Sequence, residues 1–159
     1  AAADAVQPVR QWAVGFREAL APQIESARSL GALAGRLRPV VLMVDDDDMQ
    51  HRLLARVLSE LNLDLVFAGG GAEALGVLRK RRPDLVLMDI ELPDLGGLEV
   101  TRRMKSIAAF AAIPVVMITG HSEKHLVVDS MKAGAADFVV KPFDRATVIA
   151  KVRRLLGGA

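Results

Sequence analysis

The chain of 159 residues contains no cysteine and no tyrosine. Without cysteine there is no disulfide framework, no thiolate nucleophile and no thiolate zinc site. A reducing, cytoplasmic setting fits that composition. The unbroken apolar runs are strand-sized, as at Val40–Val44, so no membrane segment is expected. No charged-then-apolar signal peptide opens the chain. A large excess of one charge is also missing, with 21 Lys+Arg against 19 Asp+Glu. The isoelectric point near 9.3 misleads, because with no Tyr or Cys little besides His and the amino terminus titrates near neutrality. Residues 1–38 hold five Arg and three acids, and the remainder holds 16 basic and 16 acidic groups. No basic field asks for nucleic acid. The one basic run, Arg79-Lys80-Arg81-Arg82, suits a solvated helix C-terminus.

From residue 40 onward, short apolar runs alternate with helical periodicity. Val40–Val44, Asp64–Ala68, Leu85–Met88, Val115–Ile118 and Phe138–Val140 read as strands. Met49, Leu53, Leu54, Val57, Leu58 and Leu61 recur at helical spacing after the first. Further helices are predicted over about 72–82, 98–107 and 122–133, and a last one carries Val148, Ile149, Val152, Leu155 and Leu156 on one face. Pro83, Gly134 and Gly157-Gly158 punctuate these elements. Five βα units with continuously apolar strands predict an α/β fold with a doubly wound, five-stranded parallel sheet covered on both faces. Chemistry in such sheets collects at the carboxyl ends of the strands, at the topological switch point.

The residues at those ends are distinctive. The first strand runs into Asp45-Asp46-Asp47-Asp48, the third into Asp89, the fourth into Thr119 and the fifth into Lys141. Crowded carboxylates raise one another's pKa unless a cation neutralises them. A hard divalent ion such as Mg²⁺ does so with carboxylates, water and phosphate oxygens as ligands. A hydroxyl and an ammonium opposite would hold the other oxygens of a phosphoryl group, with a carboxylate nucleophile between. Asp47 and Asp48 read instead as acids capping the following helix.

Val44-Asp45-Asp46, Leu87-Met88-Asp89-Ile90-Glu91-Leu92-Pro93, Ile118-Thr119-Gly120 and Val140-Lys141-Pro142-Phe143 together resemble the receiver domain of two-component response regulators and hybrid histidine kinases. Asp89 precedes Thr119 by 30 residues and Thr119 precedes Lys141 by 22, spacings like those of receivers. The resemblance covers residues 40–156 and implies a flavodoxin-like strand order 2-1-3-4-5. It implies that Asp89 is the phosphoacceptor, taking a phosphoryl group from a histidine kinase or histidine phosphotransfer protein. It makes Asp46, Asp89 and the backbone carbonyl of Glu91 ligands of Mg²⁺, with Asp45 acting mainly through water. Lys141 and Thr119 would each engage a phosphoryl oxygen, Phe138 would be the aromatic switch residue that follows Thr119, and Gly120 would keep the phosphorus approachable. Glu91 and His121, each two residues past a site residue, would tune phosphate lifetime, Glu91 by contact with the metal or Lys141. His121 and His125 flank a loop–helix junction and are expected to be solvent-exposed, and with His51 they show no metal-ligand spacing.

The chain departs from the family pattern where receivers place an Asp before the loop glycine, since Gly96 stands there. That change removes a helix cap and brings the rigidity of the loop after Asp89 into question. The usual Met before Pro93 is Leu92. Residues 1–38 read as a helical extension, in stretches 5–21 and 23–37 split at Pro22, preceding a receiver over 39–159. A homodimer could form through this extension or through the last two βα units, and Lys124, Val128, Lys132, Asp137 and Arg145 are candidates for a partner surface. The opening Ala-Ala-Ala-Asp reads as a fragment or a processed start, and no output domain is expected after the last helix. Two alternatives stay open. One is a degenerate receiver acting as a dimerisation or binding module. The other is a haloacid-dehalogenase-like phosphotransferase using Asp45 and Asp47, for which Met49 is a poor match and a cap domain is missing.

Overall fold

A computed structural model describes residues 38–157 apart from Ser122. The extension predicted over 5–21 and 23–37 lies outside the described residues. The elements run β1 (Val40–Val44), α1 (Asp48–Val57), a 3₁₀ turn (Ser59–Leu61), β2 (Asp64–Ala68), α2 (Gly71–Lys80), β3 (Leu85–Asp89), α3 (Gly97–Ser106), β4 (Val115–Thr119), α4 (Lys124–Ala133), β5 (Asp137–Val140) and α5 (Arg145–Leu155). The five strands form one parallel sheet in the order β2-β1-β3-β4-β5. After β2 the chain returns past β1 to lay down β3, so the switch point falls between β1 and β3.

Because side chains alternate along a strand, the continuously apolar runs feed two cores. Leu42, Val44, Val86, Met88, Val115 and Met117 face one side and meet Ala74 and Leu78 of α2 and Val100 and Met104 of α3. Val41, Met43, Leu85, Leu87, Val116, Ile118 and Val139 face the other and meet Leu54 and Val57 of α1 and Val148, Ile149 and Val152 of α5. The helix α4 lies beside α3 and ends at Gly134, whose φ of 108° suits a residue without a Cβ. Among the described residues no helix is long and apolar enough to cross a membrane.

Several local expectations need correcting. Met49 and Leu53 share the helical period of the core residues, yet both are exposed. Only Leu54, Val57 and Leu58 of that series are fully buried, because the sheet takes a narrower stripe of α1 than the whole apolar face. Ser59–Leu61 tightens into a 3₁₀ turn, tied to α5 by Glu60, which pairs with Arg145 at 2.6 Å and Arg153 at 3.6 Å. His51 is largely covered, its ring centre 4.9 Å from that of Phe67 on β2 and tilted 37° to it. The basic run Arg79–Arg82 is exposed at the end of α2, as expected, and there Arg81 pairs with Asp64 and Arg82 donates to the Ala109 carbonyl at 3.1 Å.

Charge is laid out along the strand axis. The last turns of α1 to α5 carry Arg56, Arg79 and Lys80, Arg103 and Lys105, Lys132, and Arg153 and Arg154. The opposite end carries Asp45 to Asp48, Glu73, Asp89, Glu91 and Asp94. These charges sit where the helix dipoles favour them, although Lys124 and Arg145 open α4 and α5 and Lys141 stands among the aspartates.

Candidate functional site

Strand register brings the site together. Val44 pairs with Met88, so Asp45 and Asp89, one step further on, leave neighbouring strands side by side at the switch point. Asp89 pairs with Ile118 on β4, which sets Thr119 one residue beyond, and Thr119 pairs with Val140, which sets Lys141 one residue beyond. Asp45, Asp89 and Thr119 are buried, while Asp46 is exposed.

The carboxylates of Asp45, Asp46 and Asp89 offer oxygens that all lie within 4.8 Å of one another. The Lys141 ammonium stands 3.2 Å from Asp45 Oδ2 and 3.7 Å from Asp89 Oδ2. Asp45 Oδ1 accepts from the Asp47 amide at 2.9 Å, and Asp89 Oδ1 accepts from the Glu91 amide at 3.2 Å. Burial pushes the Asp89 carboxyl up to about 6, with the charges of Asp45 and Glu91 acting in the same direction and the Glu91 amide and Lys141 opposing them. Three carboxylates facing one ammonium leave a negative surplus in a half-closed site. An all-oxygen donor set of this kind fits a hard divalent cation such as Mg²⁺.

The remaining predicted residues frame this centre. Thr119 Oγ1 accepts from the His121 amide at 2.9 Å, which fixes its hydroxyl at the strand end. A Cβ on Gly120 would meet nothing within 4 Å, so the space above the strand end is open. Phe138 is partly buried against the core beneath α2 and α3, and Lys151 Nζ lies 5.9 Å from its ring centre. Asp47 is the N-cap of α1, accepting from the Met49 amide at 2.9 Å. The peptide bond between Lys141 and Pro142 is cis.

Three arrangements were not foreseen. Glu91 contacts His121, Oε2 to Nε2 at 2.7 Å, and not Lys141 among its ion pairs. The two expected tuning residues are therefore a pair. Their equal offset past Asp89 and Thr119 on adjacent strands was the signal that could have shown it. Of the candidate partner-surface residues, Asp137 is already paired with Lys151 at 2.9 Å and Arg154 at 2.7 Å, and Arg145 with Glu60. The loop after Asp89 lacks a side-chain cap at Gly96, as expected, but Asp94 holds it instead. Its Oδ1 accepts from Gly71 N at 2.8 Å and its Oδ2 from Ala72 N at 2.9 Å, both at the start of α2.

A 2-1-3-4-5 parallel sheet with clustered aspartates and a lysine at its switch point is the flavodoxin-like receiver architecture. The family described as "Response regulator receiver domain" matches residues 41–153, and the chain belongs to it. The DNA-binding response regulator MtrA of Mycolicibacterium smegmatis is 38% identical over 120 residues, which cover 76% of this chain and 51% of MtrA. The chain thus spans about half the length of the MtrA relatives it matches. Protein PilH of Pseudomonas aeruginosa is 31% identical over 118 residues, 74% of this chain and 98% of PilH. The signal receiver domain of a signal transduction histidine kinase from Syntrophus aciditrophicus is similar in structure, with a TM-score of 0.70 and 32% identity over 75% of this chain and 90% of that one.

Proposed function

We propose that the chain is a working phosphoacceptor that takes a phosphoryl group onto Asp89 from a phosphohistidine of a histidine kinase or histidine phosphotransfer protein. The observation carrying this reading is the meeting of Asp45, Asp46 and Asp89 with Lys141 at the strand ends. An oxygen of ionised Asp89 attacks phosphorus as the P–N bond to the imidazole breaks, leaving an aspartyl phosphate and a free histidine ring. Mg²⁺, when bound by Asp46, Asp89 and the Glu91 carbonyl with Asp45 behind, supplies charge neutralisation and keeps Asp89 ionised. Lys141 holds one phosphoryl oxygen. The Thr119 hydroxyl leaves the His121 amide to take another, and Phe138 follows it inward. The altered surface is then read by a partner or by a second copy of the chain. The DNA-binding description belongs to MtrA, of which this chain matches about half.

The test is to incubate the full chain with an acyl phosphate and Mg²⁺ and to weigh the intact protein. The expected product carries one hydroxylamine-labile phosphoryl group, on Asp89, and forms only with the metal. Uptake elsewhere, or none with Mg²⁺ present, would sink the assignment. Lys141→Ala gives a separate expectation. It slows uptake roughly a hundredfold, as loss of a donor to a transferring group does. It also tightens Mg²⁺ binding, because the ammonium beside Asp45 and Asp89 competes for their charge. Calorimetric titration with Mg²⁺ reads the second effect, and weaker binding would contradict it.

A further inference from the structure

We propose that Asp94 is a positioning residue of the phosphoryl site, holding the loop after Asp89 against the start of α2 so that the Glu91 backbone stays in register with the acceptor. The inference rests on the phosphoacceptor reading and adds a residue to its machinery.

The loop from Ile90 to Gly96 is fastened at its two ends in different ways. At the inner end Ile90 N donates to Ile118 O at 3.1 Å, and Gly97 N donates to Ile90 O at 2.9 Å. At the outer end the helix start that would normally be capped from within offers only Gly96, which has no side chain. Asp94 compensates by reaching across to another helix. The first amides of an α-helix have no partners within it. Gly70, the N-cap of α2, supplies no side chain for them either. Asp94 takes two of these amides at once, those of Gly71 and Ala72, from more than twenty residues away in sequence.

The fit around this clamp is close. A Cβ on Gly71 would come within 2.8 Å of Leu95 Cβ and 2.7 Å of Val100 Cγ2, so loop and helix are in contact through a residue with no side chain to separate them. A Cβ on Gly70 would meet Asp94 Oδ1 at 3.0 Å. The amides of Ala72, Gly71 and Leu95 hold the Asp94 carboxyl down to about 2, so it is charged wherever the domain is folded near neutrality. Glu91 lies between the two fastenings, its amide on Asp89 Oδ1. Release of the outer fastening frees the segment that carries the Glu91 carbonyl.

The same helix start provides the control. Glu73 Oε1 accepts from Gly69 N at 2.8 Å, a contact of the α2 turn that does not touch the loop. In the full chain, Asp94→Ala is expected to weaken Mg²⁺ binding roughly five- to tenfold. It should also speed hydrogen exchange at the Glu91 and Gly97 amides in metal-free protein. Asp94→Asn, which keeps an oxygen for one amide, should recover part of both effects. Glu73→Ala should lower the melting temperature while leaving Mg²⁺ affinity within twofold of the parent. Equal losses of Mg²⁺ affinity in Asp94→Ala and Glu73→Ala would overturn the inference, because Asp94 would then be a helix cap only. So would unchanged affinity in Asp94→Ala, even with faster exchange at Glu91. A parent chain that binds no Mg²⁺ would overturn the phosphoacceptor reading itself, and the inference with it.

Discussion

Asp89→Asn is expected to abolish phosphoryl uptake and, in metal-free buffer at neutral pH, to raise the melting temperature. The first effect follows from loss of the attacking oxygen anion, since an amide oxygen is not a nucleophile of comparable strength. The second follows from burial. Asp89 is 6% exposed, close to Asp45, and its carboxyl is pushed up to about 6. In an unfolded chain the same carboxyl ionises near 3.9. Between about pH 4 and 6 the folded state therefore binds more protons than the unfolded one, and stability falls as pH rises through that window. Two pK units correspond to at most about 3 kcal/mol, all of it lost by neutral pH. An Asn of the same shape never ionises, and its oxygen can still accept from the Glu91 amide. Its melting temperature should therefore exceed the parent's by several degrees at pH 7 and should match it near pH 4. Mg²⁺ should close the gap by stabilising the parent alone. The measurement is thermal unfolding of both proteins from pH 4 to 7 with a chelator and then with Mg²⁺. Parallel curves for parent and variant across that range would remove the case for a destabilising buried carboxylate. Below pH 4 the slope reverses, because Asp94 and Asp137 have lowered pKa values and lose their favourable contacts as acid protonates them.

Gly97→Ala is expected to be the most damaging small substitution in the domain. A Cβ there would lie 2.1 Å from the Asp89 carbonyl oxygen, 2.9 Å from its carbon and 3.0 Å from Ile90 Cα. All three are backbone atoms of the strand end, so none can swing aside. The methyl must lift α3 away from β3 or push Asp89 out of register, and either breaks the bond from Gly97 N to Ile90 O. The upper part of the range for overpacking, about 3 kcal/mol, is expected. For a domain of this size that is roughly 10 °C in melting temperature. Gly76, inside α2 with nothing within 4 Å of an added Cβ, is the matched control. Gly76→Ala should stabilise by about 0.5–1 kcal/mol through helix propensity. A melting temperature of Gly97→Ala within about 2 °C of the parent would show that the contact yields cheaply.

The parts of the molecule legible in the sequence are those that repeat a simple rule. Each strand is a continuous apolar run, and Asp45, Asp89, Thr119 and Lys141 each follow one, so a parallel sheet was enough to bring them to one edge. The parts that were not legible depend on a neighbour chosen by the tertiary fold. Asp94 in isolation is a loop acid, and its role appears only once the Gly-rich start of α2 lies beside it. Met49 and Leu53 carry the period of a core helix, and only the width of the sheet decides that they stay outside. Asp137 looked free for a partner because Lys151 and Arg154, its actual partners, come 14 and 17 residues later on α5.

The separation of charge along the strands has its own consequence for how donors arrive. The receiver region from residue 39 has equal numbers of acids and bases, so it has no net pull on a distant ion. At short range, however, the Asp89 end repels any approaching phosphate while the far pole attracts it. Added salt should therefore help a bare anionic donor, by screening the repulsion, and hinder a protein donor whose docking face is basic. The sign of that salt dependence separates encounter with a free metabolite from encounter with a cognate protein.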